Sequence, residues 1–214
     1  MKGNNFLSIV DLKPEEVGCM VESASRMKHR ETSRSLEGKT IALLFEKPSL
    51  RTRVSFEVGI RQMAGDCIYL SREDVGLGVR ELESDVAGVL ERWVDGIVAR
   101  VLSHHSLELL AGSASIPVIN GLSDLEHPCQ AIGDLLTVYQ HKGGLEGVTV
   151  AFVGDGNNVA RSLCLALPAV GMNFTSASPK GYNLDEPSVR EAQARAKNSL
   201  RAKKSVQVRT VTDP

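Results

Sequence analysis

The chain has 214 residues, 42% of them hydrophobic, with 25 Lys and Arg against 26 Asp and Glu for a net charge of −1. That balance leaves no electrostatic footprint for nucleic acid or an anionic membrane, so any bound anion must be small and held by a few local positive groups. No apolar run approaches the ~20 residues of a membrane helix, and Met1–Ser8 has no apolar core of a secretory signal, so a cytoplasmic protein is expected.

In chain order, Thr40–Phe45 reads as a buried strand, with a helix over Val54–Met63 after it. Cys67–Leu70 follows as a strand, Glu83–Val94 as a helix, Gly96–Val101 as a strand, His105–Ala114 as a helix and Pro117–Asn120 as a strand. A long helix is predicted from Pro128 to about Tyr139, since Pro is favoured at the first helical position. Lys142-Gly143-Gly144 supplies a basic last turn and C-cap glycines. The pattern then restarts with Val148–Val153 (strand), Val159–Val170 (helix), Asn173–Ser176 (strand), Ser188–Lys203 (helix) and Ser205–Thr210 (strand). Alternation of this kind implies parallel βαβ units. The expected fold is α/β: two doubly wound parallel-sheet domains, 1–143 and 144–214, the second incomplete because three strands are few for such a sheet.

The four cysteines, Cys19, Cys67, Cys129 and Cys164, form no Cys-x-x-Cys pair and lie in or beside apolar runs. They read as buried free thiols rather than metal ligands or disulfides.

Phe45-Glu46-Lys47-Pro48-Ser49-Leu50-Arg51-Thr52-Arg53 carries the strongest chemical signal. A strand ends, Pro48 turns the chain, and Ser49 can cap the next helix, whose free N–H groups and dipole form an anion site. Ser49 and Thr52 add hydroxyls, and Arg51 adds a planar fork matched to phosphate oxygens. The competing interpretation is an ordinary capped helix with a solvated arginine pair. His127 and Gln130 stand one turn apart at the start of the long helix, where a neutral imidazole and an amide can meet a carbonyl oxygen, although His127 taken alone reads equally as a structural cap. Arg100 ends an apolar strand, the end at which ligands gather in open α/β sheets, the competing interpretation being a surface arginine that opens a loop. His29, His104, His105 and His141 lie in polar or solvated contexts and receive no role. Gly154-Asp155-Gly156-Asn157-Asn158-Val159 is a strand-to-helix turn that lacks the third glycine of a dinucleotide loop, and no NAD site is expected.

Taken together, Ser49-Leu50-Arg51-Thr52-Arg53, Asp95–Arg100 and the run Asn120-Gly121-Leu122-Ser123-Asp124 leading to His127-Pro128-Cys129-Gln130 resemble the signatures of carbamoyltransferases in their ornithine form. The resemblance runs from about Leu7 to the last residue. It implies that Ser49, Leu50, Arg51, Thr52 and Arg100 meet the phosphate of carbamoyl phosphate, and that His127 and Gln130 meet its carbamoyl group. Asn158 would contact the backbone end of L-ornithine. Arg51, Arg100 and His127 would be catalytic, no metal or organic cofactor would be needed, and the assembly would be a homotrimer.

The resemblance also has departures. Leu50 stands where Thr is usual. Gly76 stands where many relatives have a glutamine reaching a neighbouring subunit's phosphate, a place that Arg80 could take. Gly88 replaces a helical arginine, at a cost of up to about 1 kcal/mol. The family's Ser-Met-Gly loop, His-Cys-Leu-Pro turn and late arginine have no counterparts, so the chain is expected to correspond to the N-terminal two-thirds of such an enzyme, with turnover in doubt. A non-catalytic carbamoyl-phosphate-binding protein, and a carbamoyltransferase for aspartate or an N-acylated ornithine, are the alternatives.

Overall fold

The computed structural model describes residues 5–28, 34–199 and 205–212. Among these the helices are α1 (Pro14–Lys28), α2 (Leu50–Gln62), α3 (Arg72–Val75), α4 (Glu83–Leu90), α5 (His104–Ser113), α6 (Pro128–Lys142), α7 (Asn158–Ala169) and α8 (Glu186–Asn198). The strands are β1 (Thr40–Phe45), β2 (Asp66–Ser71), β3 (Gly96–Arg100), β4 (Val118–Leu122), β5 (Thr149–Val153), β6 (Asn173–Ala177) and β7 (Val208–Val211). No described helix is long and apolar enough to cross a membrane.

The described residues fall into two compact units: 5–7 with 34–124, and 8–28 with 125–199 and 205–212. Compactness therefore groups α1 and α6 with the second sheet, whereas the linear division at Gly143-Gly144 leaves them with the first.

In the first unit a four-stranded parallel sheet has the order β2-β1-β3-β4. Strand β1 alternates its buried side chains between two cores. Ala42 and Leu44 join Val86, Ala87, Ile97, Leu107 and Leu110, under α4 and α5. Leu43 and Phe45 join Ile60 and Val98, with Phe56 of α2 packed against them. Helices thus cover both faces, which is why β1 is apolar at consecutive rather than alternate positions. The chain leaves β1 to one side for β2 and returns to the other for β3, so the β1/β3 boundary is where the winding reverses. Ligands bind outside the carboxyl ends of the strands at such a switch point.

In the second unit three parallel strands run β5-β6-β7. Helix α7 is buried at every residue from Ala160 to Ala169 except Arg161. Gly143 ends α6 in the left-handed conformation at φ 71°, its N–H donating to the Tyr139 carbonyl at 3.0 Å, as the Lys-Gly-Gly run predicts.

Several boundaries differ from expectation for identifiable reasons. Helix α2 starts at Leu50 rather than Val54, because Ser49 caps it and its polar first turn, Arg51-Thr52-Arg53, hides from apolar periodicity. Helix α4 stops at Leu90 rather than Val94; Arg92 and Trp93 donate to carbonyls only three residues back, a tightened turn. Helix α8 begins two residues early, with Asp185 capping it through the Ser188 N–H, and ends at Asn198; residues 200–203 of the predicted helix lie outside the described residues. Helix α1 is not among the elements that periodicity predicts. Its buried face is narrow, chiefly Val17 and Val21 one turn apart, below an acidic first turn of Glu15 and Glu16. All four cysteines are free, but the expected burial holds only for Cys164; Cys67 and Cys129 are half-buried, and Cys19 is exposed on α1.

Candidate active site

At the β1/β3 switch point, the segment leaving β1 turns through Pro48 and enters α2 at Ser49. With φ −156° and ψ 109°, Ser49 is an extended N-cap whose Oγ accepts the Thr52 N–H at 3.4 Å. The same Oγ donates to Thr52 Oγ1 at 3.0 Å, and from the neighbouring strand Arg100 Nη1 donates to Thr52 Oγ1 at 3.2 Å. Strand register makes this meeting possible: Arg100 pairs with Phe45, the last residue of β1, and the register against β4 shifts between Ala99 and Arg100. The Glu46 N–H donates to the Arg100 carbonyl at 2.9 Å, and Glu46 Oε2 accepts the Leu102 N–H at 2.7 Å, which fixes both ends of the cluster. Ser49, Thr52 and Arg100, read separately from sequence, thus form one hydrogen-bonded group.

Electrostatically this group is suited to an anion. Burial, and after it the neighbouring Arg51 charge, pull the Arg100 guanidinium below the ordinary arginine value. Its Nε is buried without a hydrogen-bond partner among the described residues. Two positive groups at a helix N-terminus, each disfavoured by the other and by the dipole, are stabilised by negative charge placed between them. Arg53 does not share this task. Its Nε donates to Glu57 Oε1 at 2.7 Å and its guanidinium lies 3.7 Å from the Tyr69 ring centroid, so although both arginines are exposed, Arg53 is committed to Glu57 and Tyr69. Leu50 is 79% exposed, so its side chain faces solvent and its backbone N–H is what it brings to the helix terminus. Gly76 ends α3 in the left-handed conformation at φ 62°, where a Cβ would lie 2.8 Å from Arg80 Cβ. Arg80 is held locally by the carbonyls of Glu73 and Asp74 and by Glu81.

The Asn120–Asp124 run builds structure in the first unit. Asn120 Nδ2 donates to the Leu7 carbonyl at 2.8 Å and to Ser123 Oγ at 3.3 Å. Asp124 Oδ1 accepts the His104 N–H at 2.6 Å, at the start of α5. His104, expected in a polar or solvated context, is buried but has a polar partner, its Nδ1 lying 2.8 Å from Ser123 Oγ. Sequence reasoning missed it because its partner lies 19 residues away, across β4.

In the second unit His127 is the N-cap of α6, at φ −130° and ψ 67°, and its backbone N–H donates to Ser162 Oγ of α7 at 2.9 Å. Gln130 is exposed, and its Nε2 donates to Asp134 Oδ1 at 2.8 Å. Burial raises the Asp134 carboxyl above its ordinary value in spite of that bond. Asn157 caps α7, its Oδ1 accepting the N–H groups of Val159 and Ala160 at 3.0 and 3.1 Å. Its own amide nitrogen is turned to Asp155 Oδ1 at 2.9 Å. The cap thus engages Asn157, and Asn158 is the first residue of the helix proper. Among the described residues no three His, Cys, Asp or Glu side chains could together hold a metal ion.

Residues 4–140 match the family described as aspartate/ornithine carbamoyltransferase, carbamoyl-P binding domain, and residues 146–212 match its Asp/Orn binding domain. An ornithine carbamoyltransferase from Anoxybacillus flavithermus is 47% identical over 203 residues, 93% of this chain and 65% of that protein. One from Pyrococcus abyssi is 46% identical, over 93% of this chain and 64% of that protein. The structure of ornithine carbamoyltransferase from Pyrococcus furiosus superposes with a TM-score of 0.92 at 42% identity, covering 98% of this chain and 66% of that one. The chain therefore spans slightly under two-thirds of the length of these curated relatives. On these matches the protein belongs to the aspartate/ornithine carbamoyltransferase family.

Proposed function

We propose that this chain binds carbamoyl phosphate through Ser49, the Leu50 N–H, Arg51, Thr52 and Arg100, as part of an enzyme that transfers the carbamoyl group to L-ornithine. The observation that carries the reading is the joined Ser49–Thr52–Arg100 group, with Arg51 beside it, at the N-terminus of α2. Two guanidinium groups and free helix N–H groups bind phosphate oxygens and stabilise the dianion as it leaves.

In the reaction, the neutral δ-amine of ornithine attacks the carbonyl carbon, and the C–O bond to phosphate breaks. The amine loses a proton, and the products are citrulline and inorganic phosphate. Donors at the carbonyl oxygen stabilise the charge that develops there, and each such donor contributes roughly 3–4 kcal/mol to rate acceleration. That task falls to His127, with Gln130 on the carbamoyl amide and Asn158 on the ornithine backbone. The family relationship supports these assignments, and the position of His127 and Asn158 at two helix N-termini agrees with them. The names of the relatives favour ornithine over aspartate as acceptor. We propose a homotrimer as the assembly, which light scattering would read as three times the 23.1 kDa chain mass.

The test is citrulline formation from carbamoyl phosphate and ornithine, alongside calorimetric titration with carbamoyl phosphate. Saturable binding abolished by Arg100→Ala supports the site, with or without turnover. Binding without citrulline would make this chain a carbamoyl-phosphate-binding protein. Absence of both would overturn the reading.

A further inference from the structure

The carboxylate of Glu126 is 1% exposed, and it sits immediately before His127. It accepts a hydrogen bond from Ser8 Oγ and another from the Ile9 N–H at 3.1 Å, both in the turn that precedes α1. From α7 it accepts Ser162 Oγ at 3.1 Å, with Arg161 Nε 3.7 Å away. Ser162 Oγ in turn accepts the His127 N–H at 2.9 Å. Ser162 thus donates to one residue and accepts from the next, closing a ring of hydrogen bonds between the start of α6 and the first turns of α7. Asn158 lies one helical turn before Ser162 on α7. A buried carboxylate is costly unless its lone pairs are used, and here its oxygens are shared among separate segments of the chain.

From this ring we infer that Glu126 is a positioning residue: through Ser162 it sets the placement of His127 relative to Asn158, and so couples the group at the carbamoyl oxygen to the group that holds the amino acid. The inference rests on the roles proposed above for His127 and Asn158, but the geometric coupling can be tested without them. The carboxylate accepts from both the 8–9 turn and α7. Glu126→Gln replaces one of its oxygens by an NH2 that cannot accept, so the ring must open on one side. Ser162→Ala removes the bridge while leaving the carboxylate with Ser8 and Ile9.

The experiment is resonance-assigned NMR of the full 214-residue chain without ligand. In Glu126→Gln the His127 ring and Asn158 side-chain amide signals should both move, while the signals of Thr52 and Arg100 stay in place. Ser162→Ala should move the same two signals in the same sense, and it decides the matter alone if Glu126→Gln does not fold. If His127 and Asn158 keep their parent positions while only the melting temperature falls, Glu126 merely stabilises and the inference is overturned. Carbamoyl-phosphate affinity then separates the two claims. Both variants should weaken it about tenfold, and the double variant by no more than either alone, because a shared network is non-additive. A parent chain that does not bind would remove the functional reading and leave the NMR result on the coupling intact. Full additivity in a binding chain would sink the coupling.

Discussion

Arg51→Gln should change stability and binding in opposite directions. Arg51 is exposed in the first turn of α2, where the helix dipole disfavours a cation, and its charge acts on the half-buried Arg100. Relief of the like-charge contact and of the dipole together is worth about 0.5–1.5 kcal/mol near a surface, or roughly 1–6 °C in melting temperature for a chain of this size. Loss of a charge-assisted phosphate contact costs about 1.5–3 kcal/mol, roughly 10- to 150-fold in Kd. Because the repulsion acts between partly exposed charges, the gain should shrink with added salt. Differential scanning calorimetry at two ionic strengths, paired with titration calorimetry, reads all of these. A destabilised variant, or one with parent-like affinity, would refute the argument that Arg51 and Arg100 form a charged anion cradle.

Three further outcomes follow from named contacts. Asp95 Oδ1 accepts Lys39 Nζ at 2.7 Å and Oδ2 accepts the Thr40 N–H at 2.9 Å, and these bonds hold its carboxyl below the usual range. A depressed carboxyl stabilises above the unfolded value near ~3.9 and loses that contribution as pH falls through the folded value. Asp95→Asn should therefore cost about 0.5–1 kcal/mol at pH 7, a small figure because solvent screens the pair, and the difference from parent should vanish in strong acid; equal costs at both pH values would disprove it. Burial pushes the thiols of Cys129 and Cys164 up to about 12, so at pH 8 a disulfide reagent should label exposed Cys19 first and these two only on unfolding. Rapid labelling of either in the native chain would contradict that. At Gly156 a Cβ would lie 2.5 Å from the Leu184 nitrogen and 2.6 Å from the Asn183 carbonyl carbon, so Gly156→Ala must push backbone apart. It should cost about 1–3 kcal/mol in denaturant unfolding, and an unchanged midpoint would show the turn to be looser than described.

The parts of the molecule legible in sequence are those whose partners lie close along the chain. Phe45 to Thr52 holds a strand end, a turn, a cap and the first helical turn in one contiguous run, so its anion chemistry can be read directly. Arg100 is placed by the apolar strand it ends, which puts it at the carboxyl edge of the sheet; its bond to Thr52 across 48 residues is what sequence does not give. Long-range polar pairing is not readable. Glu126 meets Ser8 across 118 residues and Ser162 across 36, and nothing in periodicity marks a carboxylate that will be buried. Helix α1 escapes for a related reason: its narrow apolar face belongs with α6 and α7, far away in sequence.

The residues around the N-terminus of α2 and the end of β3 are proposed to bind a phosphoryl group. Titration of the isotope-labelled chain with carbamoyl phosphate tests this most directly, with inorganic phosphate as a weaker comparison. Saturable shifts of the Leu50, Arg51 and Thr52 amides and of the Arg100 Nε–H are expected, all fitting one Kd. Signals there that stay fixed at ligand concentrations saturating any other part of the chain would contradict it.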